Sequence, residues 1–150
     1  MSIWSSLLAP VLALIAWSLV VWLWMYATRL PAMSAAKIDP QAARFPGSLS
    51  GLPDSVRQVA DNYNHLMEQP TIFYALAFYS YLSGHQNELT GGLAWGYVGL
   101  RILHSLIQGT VNRVPLRFLV FALSTVVLIV WTGYEVANFQ GFPVVDAPSQ

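Results

Sequence analysis

The sequence predicts an all-α integral membrane protein, a four-helix bundle with up-down topology. Charged residues make up only 9% of the 150 residues and hydrophobic residues make up 55%, whereas a soluble domain carries about 25% charged residues. So few charges cannot cover a surface that faces water, which makes the lipid bilayer the expected solvent. The apolar residues also fall into long stretches separated by short polar segments, and the length suits a single domain over residues 1–150.

The first apolar stretch predicts a transmembrane helix over about residues 3–28, because residues 1–28 contain no Asp, Glu, Lys or Arg. It is longer than the core of a signal peptide, which spans about 7–15 residues, and no basic region precedes it. We therefore expect a retained anchor and not a cleaved signal. The next segment, residues 29–54, contains four prolines and several small residues and predicts a loop.

Three further helices are predicted at about residues 55–82, 90–111 and 115–138. Asp54 or Ser55, after Pro53, is a suitable N-cap for the second helix. A polar turn over residues 83–88 separates the second helix from the third. Pro115 suits the first position of the fourth helix, where its missing N–H leaves no hydrogen bond unmade.

The basic residues predict the orientation in the membrane, because six of the seven fall on one side of it. They are Arg29, Lys37, Arg44, Arg57, Arg113 and Arg117. The positive-inside rule places the two loops that carry them in the cytoplasm. The sequence therefore predicts a multi-pass protein with both termini outside the cytoplasm.

Composition also excludes several classes of function. The chain has no cysteine, which rules out disulfides, thiolate metal ligands and a cysteine nucleophile. Its formal net charge is zero, so the total charge offers no electrostatic argument for a nucleic-acid partner. The lipid bilayer is the partner that composition does indicate.

Two ionisable residues stand where a membrane helix should carry none. Glu68 lies about midway along the second predicted helix, and Arg101 about midway along the third. A charge near the bilayer centre costs about 2.5–3.5 kcal/mol, so such residues face the bundle interior and find partners there. Antiparallel helices bring these two side chains to a similar depth, which places them to form an ion pair.

Helical spacing extends each of these charges into a polar stripe. The stripe on the second helix comprises Asp61, His65 and Glu68, and the stripe on the third comprises Tyr97, Arg101, His104 and Gln108. Two such stripes on neighbouring helices predict one polar seam that opens toward the cytoplasm. The seam is either a functional site or a set of pairs that only fixes the register of the helices.

Some of the same residues are of types that bind metal ions. His65 and Glu68, three residues apart, could ligate a metal ion on a bundle helix, with His104 as a third ligand. The predicted helices carry no second carboxylate–histidine pair of this spacing, so no metal site is predicted.

Two further patterns concern the start of the fourth helix and the packing of the third helix. Arg113 and Arg117, at the start of the fourth helix, either hold an anion against its free N–H groups or anchor the loop at lipid phosphates. Gly92 and Gly96 form a small-xxx-small pair, which predicts close approach of another helix.

Three stretches together resemble the MAPEG family, the membrane-associated proteins of eicosanoid and glutathione metabolism, and particularly its bacterial members. Residues 65–74 (HLMEQPTIFY) are similar to the family's helix 2 pattern, in which Asn and Glu three residues apart precede a proline and an apolar run. Residues 97–105 (YVGLRILHS) contain an Arg-x-x-His similar to that of helix 3. Residues 112–117 (NRVPLR) resemble the turn into helix 4.

The resemblance implies a homotrimer with active sites between subunits, where glutathione binds with its thiol as a thiolate. It implies that Arg117 activates the thiol and that Glu68 binds the glutathione amino group. The other residues of the implied binding site are His65, Arg101, His104, Arg113 and Arg29. Of these, Arg29 would reach a glutathione carboxylate.

The sequence departs from the family pattern at four positions. His65 stands where the family usually has Asn, and Asp61 stands where glutathione-using members carry Arg. Gln108 and Phe121 occupy the positions of tyrosines that contact glutathione or its thiol in the eicosanoid synthases.

Three functions are open at this point. The first is a glutathione-dependent transferase or peroxidase of the bacterial inner membrane, which acts on lipophilic electrophiles that enter from the bilayer. The second is a non-catalytic protein of the same fold that binds lipid or another small molecule, or stabilises partners. The third is a proton or ion conduit along Asp61, His65, Glu68 and His104.

Overall fold

The computed structural model describes residues 6–45 and 47–139, apart from the side chain of residue 42, and the described residues form helices and no strand. The helices are α1 (Leu8–Ala35), α2 (Asp54–Leu66), α3 (Pro70–Leu82), α4 (Glu88–Gly109) and α5 (Val114–Ala137), with a short 3-10 helix (Pro40–Arg44) between α1 and α2. Here α2 and α3 together take the place of the second predicted helix. The all-α prediction is confirmed.

The first helix is longer than predicted. Residues 29–35 continue α1 through Pro31 and do not belong to a loop. The helix ends where Lys37 adopts a left-handed conformation (φ 53) and the Ile38 N–H bonds to the Met33 carbonyl, an arrangement that satisfies the last carbonyls. The buried Met33 packs with Leu52 and Val56, which explains why the last turns are retained. The predicted start at residue 3 lies outside the described residues.

The second predicted helix is broken. Residues 67–69 form a turn between α2 and α3, because Pro70 has no N–H for the carbonyl four residues before it and its ring opposes a continuous helix. The two other helices lie within two residues of their predicted bounds.

Apolar side chains cover much of the outside of the bundle, and polar ones lie inside it. Leu12, Leu23 and Ile129 are at least 60% exposed, whereas Arg101 and Asn62 are fully buried. Within the described part of the chain, two helices, α1 and α5, are long and apolar enough to cross a membrane. This distribution is the one expected of a chain whose solvent is lipid.

One end of the bundle is held by a buried polar network around Glu135. This carboxylate is 3% exposed and accepts hydrogen bonds from the Ser80 hydroxyl and the Trp131 indole N–H. His85 Nδ1 lies 2.6 Å from the second carboxylate oxygen. The network joins α3, α5 and the turn between α3 and α4, so it closes the bundle at that end.

At the other end, α1 approaches α4 closely at Gly109. A methyl group at this glycine would lie 2.6 Å from the ring of Trp24. Gln58 donates to the carbonyls of Gly109 (3.0 Å) and Thr110 (2.9 Å), which caps the last turn of α4. Position 109 therefore requires a residue without a side chain.

We expect Gly109→Ala to destabilise the fold by about 1–3 kcal/mol, the usual cost of overpacking. The measurement is thermal unfolding of the detergent-purified protein. Gly133→Ala is the matched control, because a methyl group there would meet no atom of the described chain within 4 Å. Equal melting temperatures for the two variants would contradict the close approach of Trp24.

Candidate functional site

The break between α2 and α3 leaves backbone carbonyls of α2 without helical partners. Pro70 cannot donate to the Leu66 carbonyl, and α2 ends at that residue. The turn that follows directs Glu68 outward, where its side chain is 68% exposed. The free C-terminal end of α2 is therefore open to a donor from another helix.

Arg101 of α4 supplies that donor. Its Nη2 donates to the His65 carbonyl at 3.0 Å, and the side chain is fully buried. The guanidinium also lies over the ring of Phe121, 5.7 Å from its centroid. A cation at the C-terminal end of a helix is favoured by the helix dipole, so Arg101 serves as a charged cap for α2.

The predicted ion pair between Glu68 and Arg101 is wrong. Glu68 Oε2 lies 2.8 Å from Nδ1 of His65 instead, because the turn after Leu66 rotates residue 68 away from α4. Two guanidinium nitrogens of Arg101, Nε and Nη1, are buried and have no hydrogen-bond partner among the described residues. Buried donors of this kind are uncommon in folded proteins, where such groups are normally paired with protein atoms or ordered water.

Two adjoining cavities form what we call the polar cleft. The larger is about 320 Å³ and the smaller about 180 Å³. His65 and Arg117 line both of them. The other lining residues are Asp61, Asn64, Glu68 and Gln108 in the larger cavity, and His104, Val114, Phe118 and Phe121 in the smaller.

The two histidines lie together on one wall of the polar cleft. The ring centroids of His65 and His104 are 5.0 Å apart, and that of Phe121 is 5.2 Å from His65. His104 is 2% exposed, and its Nδ1 is buried without a partner among the described residues. The described residues contain no group of three or more His, Cys, Asp or Glu side chains that could hold a metal ion.

Arg117, which lines both cavities of the polar cleft, is held in place by a hydrogen bond. Its Nη1 donates to Oδ1 of Asn112 at 2.7 Å, and Asn112 adopts a left-handed backbone conformation (φ 47) in the turn before α5. This bond fixes one nitrogen of the guanidinium. The remaining donors of Arg117 are available to the polar cleft.

Four predicted residues line neither cavity of the polar cleft, and one of them is the fully buried Arg101. Arg113 is exposed at the start of α5 and lines neither cavity. Arg29 lines a different cavity, which shares Asp61 and Asn64 with the polar cleft. Tyr97 is stacked on Phe73 in the apolar core, with ring centroids 4.7 Å apart.

The sequence reasoning missed the residues of α2 that face α4. Gln58 and Asn62 precede His65 at helical spacing, and Asn62 donates to the Ser105 hydroxyl at 2.8 Å. With Arg101 on the His65 carbonyl, these bonds tie the two helices at three successive levels. The helical spacing of these uncharged polar residues was the available signal in the sequence. The predicted stripe on the second helix contains only ionisable residues and therefore leaves them out.

The arginine cap can be tested by removing its charge and keeping its bulk. We expect Arg101→Met to destabilise the protein by about 1–3 kcal/mol, because the buried His65 carbonyl loses its donor. Arg113→Met, at an exposed position, should change stability by no more than about 0.5 kcal/mol. Thermal unfolding in detergent measures both, and an Arg101→Met variant as stable as the control would refute the cap.

The chain was compared with known proteins in three ways. The family model for the MAPEG family matches residues 7–136. No curated protein matches the chain, and no solved structure does. The family is one of membrane four-helix bundles linked to glutathione and eicosanoid metabolism, in agreement with the helical architecture and apolar exterior. Because the match covers most of the sequence, this chain belongs to the MAPEG family.

Proposed function

We propose that the chain is a membrane-bound glutathione-dependent transferase or peroxidase that acts on lipophilic electrophiles. The observation that carries the proposal is Arg117, a cation that lines both cavities of the polar cleft and uses one guanidinium nitrogen in its bond to Asn112. Arg101 lines neither cavity, but its guanidinium lies over the ring of Phe121, which lines the smaller one, and two of its nitrogens are buried without a partner among the described residues. These cations suit an anionic ligand.

Glutathione fits this donor set by charge. It carries two carboxylates and one ammonium group, and its reactive group is a thiolate. Glu68 offers the ammonium group a carboxylate oxygen, since only Oε2 is bonded to His65. Arg117 offers donors to the anionic groups. We propose that Arg113 and Arg29 act from the margins of this site, as both lie outside the cleft of one chain.

Arg117 is the residue we propose to be catalytic. A guanidinium beside a sulfur atom favours the thiolate over the thiol, because the charge that develops is neutralised where it forms. The bond to Asn112 fixes the guanidinium before any ligand arrives. A preoriented cation of this kind loses little energy to rearrangement during the reaction.

His65 is suited to accept the thiol proton. The Glu68 carboxylate accepts a hydrogen bond and cannot donate one while it is ionised, so Nδ1 of His65 carries the proton between them. That assignment leaves Nε2 as an acceptor, in a side chain that lines both cavities. The carboxylate thus orients the imidazole as in other paired nucleophile-activating groups.

The smaller cavity offers a path for an apolar substrate. Val114, Phe118 and Phe121 of α5 line it, and Phe118 is 70% exposed on the apolar exterior. A lipophilic electrophile dissolved in the bilayer would meet these side chains before the charged groups. We therefore propose that the electrophile enters laterally from the membrane.

We also propose a homotrimer, in a multi-pass arrangement, in a bacterial inner membrane. Gly92, Gly96 and Gly99 lie on an exposed face of α4, and a methyl group at Gly92 or Gly96 would meet no described atom within 4 Å. Small residues let a helix of another subunit approach closely. The arginines beside the polar cleft favour a cytoplasmic opening, with both termini on the other side.

The alternative is a protein of the same fold that binds lipid or another small molecule without turnover. The lining of the polar cleft favours it at two points. Asp61 places a negative charge near the anion site, and Gln108 lines the larger cavity with an Oε1 that is buried and unpartnered among the described residues. A ligand with more donors than glutathione would suit those oxygens better.

Binding can be separated from turnover by thermal shift and conjugation assays on the detergent-purified protein. We expect millimolar glutathione to raise the melting temperature, and an inert thiol at the same concentration to leave it unchanged. Arg117→Ala should lower the rate of conjugation by about a hundredfold or more. Lys37→Gln, in the loop after α1, should keep the wild-type rate.

No shift with glutathione would contradict the transferase proposal. A shift without conjugation of any lipophilic electrophile would favour the alternative.

The role of His65 predicts a separation between binding and ionisation. In His65→Ala, glutathione should still raise the melting temperature, because the donors of Arg117 remain. The thiolate absorbance of bound glutathione at neutral pH should fall about tenfold and the conjugation rate about a hundredfold, as expected for loss of a proton acceptor. A wild-type thiolate signal in this variant would show that Arg117 alone suffices.

A further inference from the structure

A third cavity, of about 570 Å³, lies beside the polar cleft and is lined by three arginines. Arg29 comes from α1, Arg44 from the 3-10 helix and Arg57 from α2. Asp61 is the one carboxylate among the described residues that line it. Three guanidinium groups against one carboxylate leave a formal charge of +2, so the cavity is suited to an anion.

Two of the three arginines, Arg29 and Arg44, have no carboxylate partner within the described chain. Nε of Arg44 donates to the amide oxygen of Gln41 at 3.2 Å, which supplies no charge. Arg57 lies 3.3 Å from Asp54, whose side chain is 94% exposed, so water screens that pair. Nε of Arg29 is buried and has no hydrogen-bond partner among the described residues. All three therefore keep unused capacity for a negative group.

The cavity stands at the end of the apolar run of α1. Arg29 is the first charged residue after the uncharged residues 1–28, which places it where the hydrocarbon region meets the phosphate layer. Phe45, 73% exposed, and Leu49 line the same cavity. Apolar side chains next to cations match the junction of acyl chains and headgroups in a phospholipid.

We propose that this cavity binds the phosphate group of an anionic membrane phospholipid. Guanidinium groups pair with two phosphate oxygens at once, which a lone ammonium group does not do. Ser48 and Ser50 line the cavity and add hydroxyl groups to the arginines. The proposed phosphate site extends beyond the proposed glutathione site, because Arg44 and Arg57 do not line the polar cleft. Arg29 lies between the two sites, so the test removes Arg44 and Arg57 and leaves Arg29 in place.

The test is a thermal-shift titration of the full chain in detergent at constant ionic strength. The probes are a short-chain phosphatidylglycerol, a short-chain phosphatidylcholine and inorganic phosphate. We expect the phosphatidylglycerol to stabilise the protein most. Its affinity should fall about fivefold for each arginine removed, hence about 25-fold in Arg44→Gln/Arg57→Gln. Should the double variant not fold, Arg44→Gln alone tests the site, because Arg44 is exposed.

Lys37→Gln is the matched control, because Lys37 is a cation of the same loop that does not line the cavity. It should keep the wild-type affinity for phosphatidylglycerol. Equal stabilisation by phosphatidylcholine, or by inorganic phosphate at the same concentration, would overturn the proposal. So would wild-type affinity in Arg44→Gln/Arg57→Gln, or an equal loss in Lys37→Gln, which would indicate diffuse attraction and not a site.

Discussion

The hydrogen bond from Arg101 to the His65 carbonyl is the interaction on which the rest of the site depends. It couples a break in one helix to a buried cation on another, so each is stabilised by the other. The break alone would leave carbonyls exposed to the bundle interior, and the cation alone would have no negative partner at that depth. Together they fix the position of α2 against α4, and with it the wall of the polar cleft that carries His65.

The bundle differs strongly between its two ends. At one end, Glu135 is enclosed by Ser80, Trp131 and His85, and the carboxylate is satisfied by the chain itself. Around α2 and the second half of α4, the donors of Arg101 and the nitrogen Nδ1 of His104 are buried without partners among the described residues. Trp17 Nε1 and Gln86 Oε1 are also buried without partners among the described residues, so an unpaired atom does not by itself mark a ligand site. What distinguishes His104 from Trp17 and Gln86 is that it lines a cavity of the polar cleft.

Much of this arrangement could be predicted from the sequence, because composition and hydrophobic patterning report directly on the solvent around each helix. The helical class, the turn before Pro115 and the polar character of α4 all follow from local sequence. The partner of Arg101 could not be predicted, since the direction of Glu68 depends on the turn that Pro70 forces. Glu135 was not recognised as a buried group, because its partners Ser80 and His85 come from other segments of the chain. The family motifs identified the right helices but not which side chains face each other.

The length of α1 has a consequence for where the arginine-lined loop can be. Its 28 residues extend about 42 Å at 1.5 Å per residue, whereas the hydrocarbon layer is about 30 Å thick. The surplus of roughly two turns is accommodated by tilting of the helix or by protrusion of its end into the headgroup layer. Because the loop follows the capped end of α1 directly, its cations stay close to the headgroup layer of the membrane. The lipid composition of the membrane, more than the concentration of any soluble ligand, would then determine how often these cations bind an anionic group.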